Sequence, residues 1–405
     1  MIEIDIDKPG SSPNVFVTGL DGKLDVIEAL DESLSYYVAN YERMPKFQSG
    51  QWDGKEHLFK RSRNGSYYFP FGLTKKVEQV LQVFGEKYTK SGFNTCDIPT
   101  PETVGVFHLR DYQIDALNAL KRQPLMSGVL ALPTAAGKTV TALAWCEQVR
   151  RVDGRVKNVL ILVHRMELMK QWGEEIKEKT GCAATLIGGS KKVTGDGVYT
   201  VAMIQTLYRE KQREPVGGWG LIGDITVFDE CHTMPSKTAY SVGMSIKSIY
   251  RLGLSATPNR PDGADMKLWG VAGCIAKIID VEGLVDSGYI AEPIFELMYP
   301  DPVSGLKPWS SWADVYKRGI TANVQRNDMI VMKTEDLLKQ GRQVYIHVNH
   351  IAHGRALAGR IPCAKFLCGS DDKKDREQII SDFKYGEFTV LVSTLLKEGV
   401  SIDGI

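Results

Sequence analysis

The chain has 405 residues, 43% of them hydrophobic and 24% charged, a composition typical of a soluble globular protein with two or three domains. No apolar run approaches the ~18 residues of a membrane helix. The seven cysteines include no CxxC pair, which argues against a disulfide framework or an iron–sulfur cluster and predicts a reducing cytosol. Because the formal net charge is only +1, any nucleic-acid binding must come from local basic patches.

Residues 1–95 are predicted to form a small α+β domain with a basic hairpin. The stretch Arg61–Ser66 contains Asn-Gly, which favours a type I′ turn between two short strands. From Val77 to Tyr88, apolar residues recur at the spacing of a helix.

Basic and aromatic side chains alternate over residues 43–76 of this domain. Basic groups neutralise phosphates and aromatic rings stack on bases, so the pattern fits nucleic-acid binding. It fits a solvated charged face over an aromatic core about as well. The candidate phosphate contacts are Lys55, Lys60, Arg61 and Arg63.

After a linker at 91–104, short apolar strands alternate with amphipathic helices, which predicts a parallel α/β sheet within a domain at 96–295. One predicted helix covers 166–179 and places Trp172 on its apolar face. The candidate strands are 128–132, 158–164, 198–203, 225–229 and 250–255.

The first of these strands runs into Pro133-Thr-Ala-Ala-Gly-Lys-Thr139, and a helix is predicted from about Val140. A strand, a loop of small residues and a helix are the context of a phosphate loop, although Leu132 stands where the full pattern has glycine. A chance Gly-Lys-Thr is the alternative. Lys138 would reach the β and γ phosphates of ATP, and the Thr139 hydroxyl would hold Mg²⁺. The predicted nucleotide contacts of the loop are Thr134, Ala135, Ala136, Gly137, Lys138 and Thr139.

A second motif, Asp229-Glu-Cys-His232, follows the apolar strand that begins at Ile225. Ligands bind at the carboxyl ends of parallel strands, and adjacent residues there point in opposite directions. Asp229 would therefore hold Mg²⁺, and Glu230 would orient and deprotonate the attacking water. His232 would sense the γ-phosphate. An Asp-Glu pair alone is usually a helix cap, but the preceding phosphate loop favours a nucleotide site.

With these two motifs, the chain resembles the superfamily 2 helicases. Leu109-Arg-Asp-Tyr-Gln113 resembles the adenine-reading segment of that family, and Ser255-Ala-Thr-Pro258 resembles its motif III. Stretches around 163–172 and 203–207 resemble strand-contacting motifs, and Thr394 to Ser401 resembles motif V. The resemblance implies these roles: Arg110 and Gln113 at the base, Gly399 at the nucleotide, Ser255 and Thr257 in coupling, and His164, Arg165, Gln205, Thr206 and Thr394 on nucleic acid.

The "QTL" and "SATP" stretches and the N-terminal Ser49-Gly-Gln-Trp-Asp-Gly54 resemble the branch that contains phage UvsW-type helicases, XPB-like helicases and restriction-enzyme motors. The resemblance implies an α/β protein with two RecA-like parallel-sheet motor domains. It implies an ATP- and Mg²⁺-dependent DNA helicase or translocase that acts on branched DNA in replication, recombination or repair. An RNA helicase, and a nucleic-acid-binding protein with an idle ATPase, are the alternatives. We expect a cytoplasmic monomer, with oligomers left open.

The second motor domain, with its linker, is predicted at 296–405 and shows three strands, at 343–348, 365–368 and 389–393. Its motif V departs from the family pattern at Ser401 and Asp403. In the family, motif V is followed by an arginine-bearing motif of the form Gln-x-x-Gly-Arg-x-x-Arg, which this sequence does not contain. We therefore expect the second domain to be incomplete, and the chain to bind ATP and DNA but to hydrolyse and unwind poorly.

Overall fold

The computed structural model describes residues 1–6, 13–91, 99–133, 136–154, 158–189, 191–213, 223–258 and 264–395. The chain forms two compact units, Met1–Ala291 and Glu292–Ile405.

The first unit begins with an α+β module built on a five-stranded sheet of order β5-β6-β2-β1-β7, in which β1 and β7 are parallel and the other neighbours antiparallel. Alternate residues of β1 and β2 are fully buried against α1 and α3, because successive side chains of a strand point to opposite faces. The strands are β1 (Ile2–Ile6), β2 (Asn14–Thr18), β3 (Ser35–Tyr37), β4 (Lys55–His57), β5 (Lys60–Arg61), β6 (Tyr67–Pro70) and β7 (Tyr88–Ser91). The helices are α1 (Leu24–Ser33), α2 (Pro45–Gln48) and α3 (Thr74–Val83).

Two local predictions for this module were wrong. The hairpin between β5 and β6 exists, but Asn64 does not have the positive φ that a type I′ turn requires; Gly65 alone supplies it, with φ +92°. Helix α3 ends at Val83, and Tyr88 lies in β7 instead. The helix stops because Gly85 takes a left-handed conformation and the next N–H, that of Glu86, bonds back to the Leu81 carbonyl.

The rest of the first unit is an α/β domain around an eight-stranded sheet of order β13-β12-β14-β11-β15-β16-β10-β17. Seven strands are parallel and β13 is antiparallel, which confirms the predicted parallel-sheet fold. The strands are β8 (Thr103–Val104), β9 (Phe107–His108), β10 (Gly128–Ala131), β11 (Val159–Val163), β12 (Thr185–Gly188), β13 (Lys191–Val193), β14 (Tyr199–Met203), β15 (Ile225–Phe228), β16 (Tyr250–Ser255) and β17 (Ile275–Ile278). The helices are α4 (Asp111–Lys121), α5 (Lys138–Val152), α6 (Met166–Thr180), α7 (Ile204–Arg213), α8 (Lys237–Gly243), α9 (Asp265–Ala272) and α10 (Val281–Asp286).

The five strands predicted from the sequence form the centre of this sheet, where every residue of β10, β11, β15 and β16 is buried. Such strands are apolar on both faces because helices cover both sides of a parallel sheet. Three further strands, β12, β13 and β17, were not predicted from the sequence, and they lie at or next to the sheet edges. Helix α5 begins at Lys138, slightly before the predicted start at Val140.

The N-terminal module is packed directly against α9 of the α/β domain. A Cβ atom on Gly72 would lie 1.9 Å from the Trp269 carbonyl oxygen, so backbone meets backbone at this contact. Arg251 of β16 is fully buried between the rings of Phe71 and Phe228. Burial lowers the pKa of Arg251 to about 9, and its guanidinium donates to backbone carbonyls, among them that of Val271 in α9 at 3.2 Å.

The second unit has a three-stranded parallel sheet of order β18-β20-β19, at the three positions predicted from the sequence. Its strands are β18 (Val344–His347), β19 (Ala364–Leu367) and β20 (Val390–Ser393), and its helices are α11 (Trp312–Asp314), α12 (Val324–Lys339), α13 (Ile351–Ala358) and α14 (Lys373–Lys384). Among the helices of the described ranges, none combines the length and apolar character needed to cross a bilayer.

Candidate active site

The predicted phosphate loop connects the buried strand β10 to α5 at the carboxyl edge of the sheet. Gly137 caps α5 in a left-handed conformation with φ +70°, and a Cβ atom there would lie 2.6 Å from the Gln113 side-chain nitrogen. Only glycine meets both conditions without strain. Thr134 and Ala135 fall outside the described ranges.

The predicted adenine-reading segment lies beside this loop. The buried Gln113 amide nitrogen is 3.4 Å from the carbonyl oxygens of Ala136 and Gly137, and its oxygen accepts from the Arg110 N–H at 2.9 Å. The Tyr112 hydroxyl also donates to the Ala136 carbonyl, at 3.0 Å. Gln113 therefore supports the loop itself, while its role in reading the base stays a prediction.

One line of side-chain contacts crosses the ends of three strands. It joins Lys138, Glu230, His232 and Ser255. The Lys138 Nζ atom is 3.2 Å from Glu230 Oε1, and the other Glu230 oxygen is 3.4 Å from His232 Nδ1. His232 Nδ1 is also 3.1 Å from the Ser255 hydroxyl, which accepts from the Thr257 N–H at 3.1 Å. The structure thus brings together the residues predicted from three separate motifs.

Asp229 is buried at the end of β15, and both of its oxygens are engaged. Oδ2 accepts from the Trp172 indole N–H at 2.8 Å, and Oδ1 accepts from the Glu230 N–H at 3.0 Å. Glu230 has a φ of +46°, which is rare for a residue with a side chain. This sharp turn directs two successive carboxylates into different surroundings.

The two carboxyl groups have opposite pKa shifts. Burial raises the pKa of Asp229 to about 6, against the opposing hydrogen bond from Trp172. Burial would also raise the pKa of Glu230, but the hydrogen bond from His232 and the positive charge of Lys138 outweigh it and lower the pKa to about 2. Glu230 is therefore ionised at neutral pH, and Asp229 is the group more easily protonated.

The oxygen donors of Asp229 and Thr139 fit a magnesium ion, because Mg²⁺ is usually held by one or two protein oxygens together with substrate phosphates. Thr139 is in the first turn of α5, and within the described residues the buried Asp229 carboxylate accepts hydrogen bonds from two neutral donors, the Trp172 indole and the Glu230 backbone N–H. A cation near Asp229 would offset the cost of burying that charge.

Comparison with known proteins agrees with this arrangement. Residues 106–260 match the family model described as type III restriction enzyme, res subunit. The chain is 30% identical over 309 residues to a putative DNA 3'-5' helicase Rad25 of Halobacterium salinarum, covering 73% of this chain and 47% of that protein. It is 22% identical over 421 residues to the ATP-dependent DNA helicase UvsW of Enterobacteria phage T4, covering 95% of this chain and 80% of that protein.

The chain belongs to the superfamily 2 helicases, in their UvsW/XPB-like branch. The crystal structure of T4 UvsW has the same fold, with a TM-score of 0.52 at 18% identity, over 100% of this chain and 82% of that one. The chain spans about half the length of the Rad25 relatives that it matches.

Two predicted strand-contacting motifs of this superfamily 2 domain are joined by a hydrogen bond. The Gln205 amide donates to the His164 carbonyl at 3.0 Å, and the Thr206 hydroxyl accepts from the Gly189 N–H at 3.2 Å. Arg165 is the cap residue of α6. These residues lie together at the carboxyl ends of β11 and β14, and their contact with nucleic acid stays a prediction.

The basic residues of the N-terminal module differ in their surroundings. Lys55 is partly buried, pairs with Glu32 and lies 5.1 Å from the centre of the Tyr37 ring, so it takes part in the module's own structure. Lys60, Arg61 and Arg63 are exposed on the hairpin. In the second unit, the Thr394 N–H donates to the Leu367 carbonyl at 3.2 Å, while Gly399 falls outside the described residues.

Sequence reasoning missed two residues that the structure places near the site. Trp172 was predicted only as an apolar core residue, and helical spacing gives no information on where its indole N–H points. Tyr289 lies 4.8 Å from the Arg110 guanidinium and 5.3 Å from the Tyr112 ring, and no motif of the sequence singles it out.

Proposed function

We propose that the protein is an ATP-dependent DNA helicase or translocase that acts on branched DNA in recombination or repair. The observation that carries the proposal is the continuous contact from Lys138 through Glu230 and His232 to Ser255. It joins the phosphate loop, the carboxylate motif and the motif that begins at the last residue of β16, as a coupled ATPase requires. DNA helicases and translocases among the relatives of this chain add support.

In this mechanism the loop N–H groups and Lys138 bind the ATP phosphates, and Thr139 and Asp229 hold Mg²⁺. When bound, Mg²⁺ would supply positive charge that offsets the negative charge of the phosphates. Glu230 orients the attacking water and accepts its proton as the bond to the γ-phosphorus forms and the bond to the ADP oxygen breaks.

The ion pair between Lys138 and Glu230 gives the site a nucleotide-dependent step. The positive charge of Lys138 helps to lower the pKa of Glu230, which makes that carboxylate a weak base. ATP phosphates would compete for the Lys138 ammonium. Glu230 would then be a stronger base only when the substrate is present.

Two groups of residues would bind DNA, one in the α/β domain and one on the N-terminal hairpin. His164, Arg165, Gln205 and Thr206 would contact one strand at the edge of the motor sheet, and the hairpin would bind phosphates electrostatically. Contacts to phosphates carry no sequence information, so binding should be largely independent of sequence and sensitive to salt.

Single-turnover ATP hydrolysis, with protein in excess, tests the proposal. Hydrolysis should accelerate when forked DNA is added, more than with linear duplex or with single-stranded RNA of equal length. Equal stimulation by RNA would favour an RNA helicase instead. Hydrolysis that no nucleic acid alters would favour a binding protein with an idle ATPase.

A further inference from the structure

We propose that Trp172 is a positioning residue that holds the Asp229 carboxylate in place and connects it to the start of α6. The inference deepens the proposed function, because it assumes that Asp229 helps to hold Mg²⁺ for ATP. Trp172 itself touches neither the phosphate loop nor nucleic acid in this scheme.

The contact is a buried hydrogen bond of good geometry. The indole nitrogen of Trp172 is 2.8 Å from Asp229 Oδ2, and the two residues are 3% and 6% exposed. The Glu230 N–H holds the other oxygen at 3.0 Å. Because two donors fix the two oxygens, the plane of the carboxylate is defined before any ion arrives. Partners of this kind, one shell outside a metal, orient the ligand and tune its affinity.

A second tryptophan shows what the same side chain does when it is only structural. Trp145 is fully buried in the same hydrophobic core, and its indole N–H also makes a 2.8 Å hydrogen bond, to the Met126 backbone carbonyl. Both tryptophans thus fill the core and satisfy one acceptor. They differ in the acceptor, which is a peptide oxygen for Trp145 and a predicted magnesium ligand for Trp172.

The position of Trp172 on α6 adds a link to the nucleic-acid side. Helix α6 begins at Met166, directly after His164 and Arg165, and Trp172 lies less than two turns further along. An α-helix transmits a displacement of its first turn to its next turns. A bound nucleic-acid strand that displaces the start of α6 would therefore move the Trp172 indole N–H, which orients Asp229.

The test compares Trp172→Phe with the matched control Trp145→Phe, because each removes one buried indole N–H from the same core. The measurement is the Mg²⁺ concentration that gives half-maximal binding of a fluorescent, non-hydrolysable ATP analogue, followed by anisotropy. We expect Trp172→Phe to raise this concentration by about tenfold or more, the usual effect of losing a partner of a metal ligand. Trp145→Phe should leave it unchanged.

Repeating both titrations with saturating single-stranded DNA tests the link through α6. DNA should change the half-maximal Mg²⁺ concentration in the wild type and in Trp145→Phe, and should change it much less in Trp172→Phe. Thermal melting of both variants shows whether the loss of core packing is comparable.

Three results would overturn the inference. An unchanged Mg²⁺ requirement in Trp172→Phe would show that the indole is structural only, and an equal rise in Trp145→Phe would show a general effect of core damage. An equal DNA response in the wild type and Trp172→Phe would remove the link through α6. If the wild type showed no Mg²⁺-dependent nucleotide binding at all, the proposed function itself would fail. That result differs from the three above, in which the wild type binds nucleotide normally and only the role of Trp172 fails.

Discussion

At the carboxyl edge of the motor sheet, Lys138, Glu230 and His232 are partly buried and contact one another, whereas Lys60, Arg61 and Arg63 on the hairpin are exposed. The first group has fixed partners, and its position lowers the pKa of Glu230 to about 2. In the second group, the Arg61 guanidinium lies 5.6 Å from the centre of the Tyr67 ring.

The difference follows from what each region would do. Phosphoryl transfer needs charges held in one geometry with little water between them, because electrostatic stabilisation is strongest when it is prearranged. Binding a moving strand needs many weak contacts with phosphates that can exchange as the strand advances. The changes below test whether the two regions act separately and whether they depend on each other through the contact with α9.

The largest effect is expected from Lys138→Ala. Removing the ammonium that binds the phosphates should slow single-turnover ATP hydrolysis by about 10³-fold, as removal of a preorganised charge does in other active sites. DNA binding without nucleotide should be retained. The exposed Lys247 provides the control, and Lys247→Ala should hydrolyse ATP at the wild-type rate. A comparable loss in both variants would contradict the assignment of the phosphate loop.

Gly72→Ala tests whether the two regions depend on each other through the contact with α9. The new methyl group would collide with the Trp269 carbonyl, and we expect a loss of about 3 kcal/mol in unfolding free energy, measured by denaturant titration. Gly283→Ala in α10 is the control, since a Cβ atom there meets nothing within 4 Å. Equal stability of the two variants would argue against a tight contact.

Asp229→Asn should stabilise the protein while it abolishes Mg²⁺-dependent nucleotide binding. The folded pKa of about 6 exceeds the ordinary value of 3.8, so the ionised carboxylate destabilises the folded state above pH 6. The pKa difference corresponds to about 3 kcal/mol at pH 7.5, and about 1 kcal/mol of this is lost because the amide NH2 cannot accept one of the two N–H bonds. We therefore expect a net gain of about 2 kcal/mol by denaturant titration. The gain should shrink as pH falls through 6 towards 4, because the wild-type carboxyl then becomes protonated as well.

The exposed Asp115 supplies the control for this experiment. Asp115→Asn should change stability little at any pH in this range. A gain for Asp229→Asn that did not depend on pH would show that the amide acts through packing rather than through the lost charge.

The smallest effect is expected from a triple change of Lys60, Arg61 and Arg63 to alanine. DNA affinity should fall by about tenfold near 0.1 M salt, and the slope of log affinity against log salt should decrease by about 2, since each lost phosphate contact contributes about 0.7 for a single strand. ATP hydrolysis without DNA should be unchanged. The charge-matched control replaces the exposed Lys87, Arg122 and Lys247. Equal losses in the two triple variants would indicate a general charge effect.

The sequence was sufficient to predict the parallel sheet because its central strands are continuous apolar runs, as between Val159 and Val163. Edge strands carry no such signal, so β12, β13 and β17 were missed. The hairpin was predicted correctly from Asn64-Gly65, but its turn type was not. An Asn-Gly pair is compatible with a positive φ at both residues or at the glycine alone, and the flanking strands decide which of the two turns forms.

For the candidate site, motif spacing predicted which residues lie near each other but not how they touch. The sequence placed Asp229 and Glu230 together, yet their opposite pKa shifts depend on the burial of Asp229 and on the contacts of Glu230 with His232 and with Lys138 from α5. Tertiary packing also turns Gln113 towards the loop carbonyls. Side-chain direction of this kind is set by contacts far apart in the chain, which a single sequence does not reveal.

The close approach of Gly72 to Trp269 has a mechanical consequence. At this junction the backbones of the two parts touch directly, with no side chains between them. Arg251 adds two contacts at the same junction, one with the Phe71 ring and one with the Val271 carbonyl. Movement of the N-terminal module relative to the α/β domain would therefore have to separate packed backbone atoms. If the α/β domain rotates during an ATP cycle, as the proposed function requires, the hairpin would be carried with it.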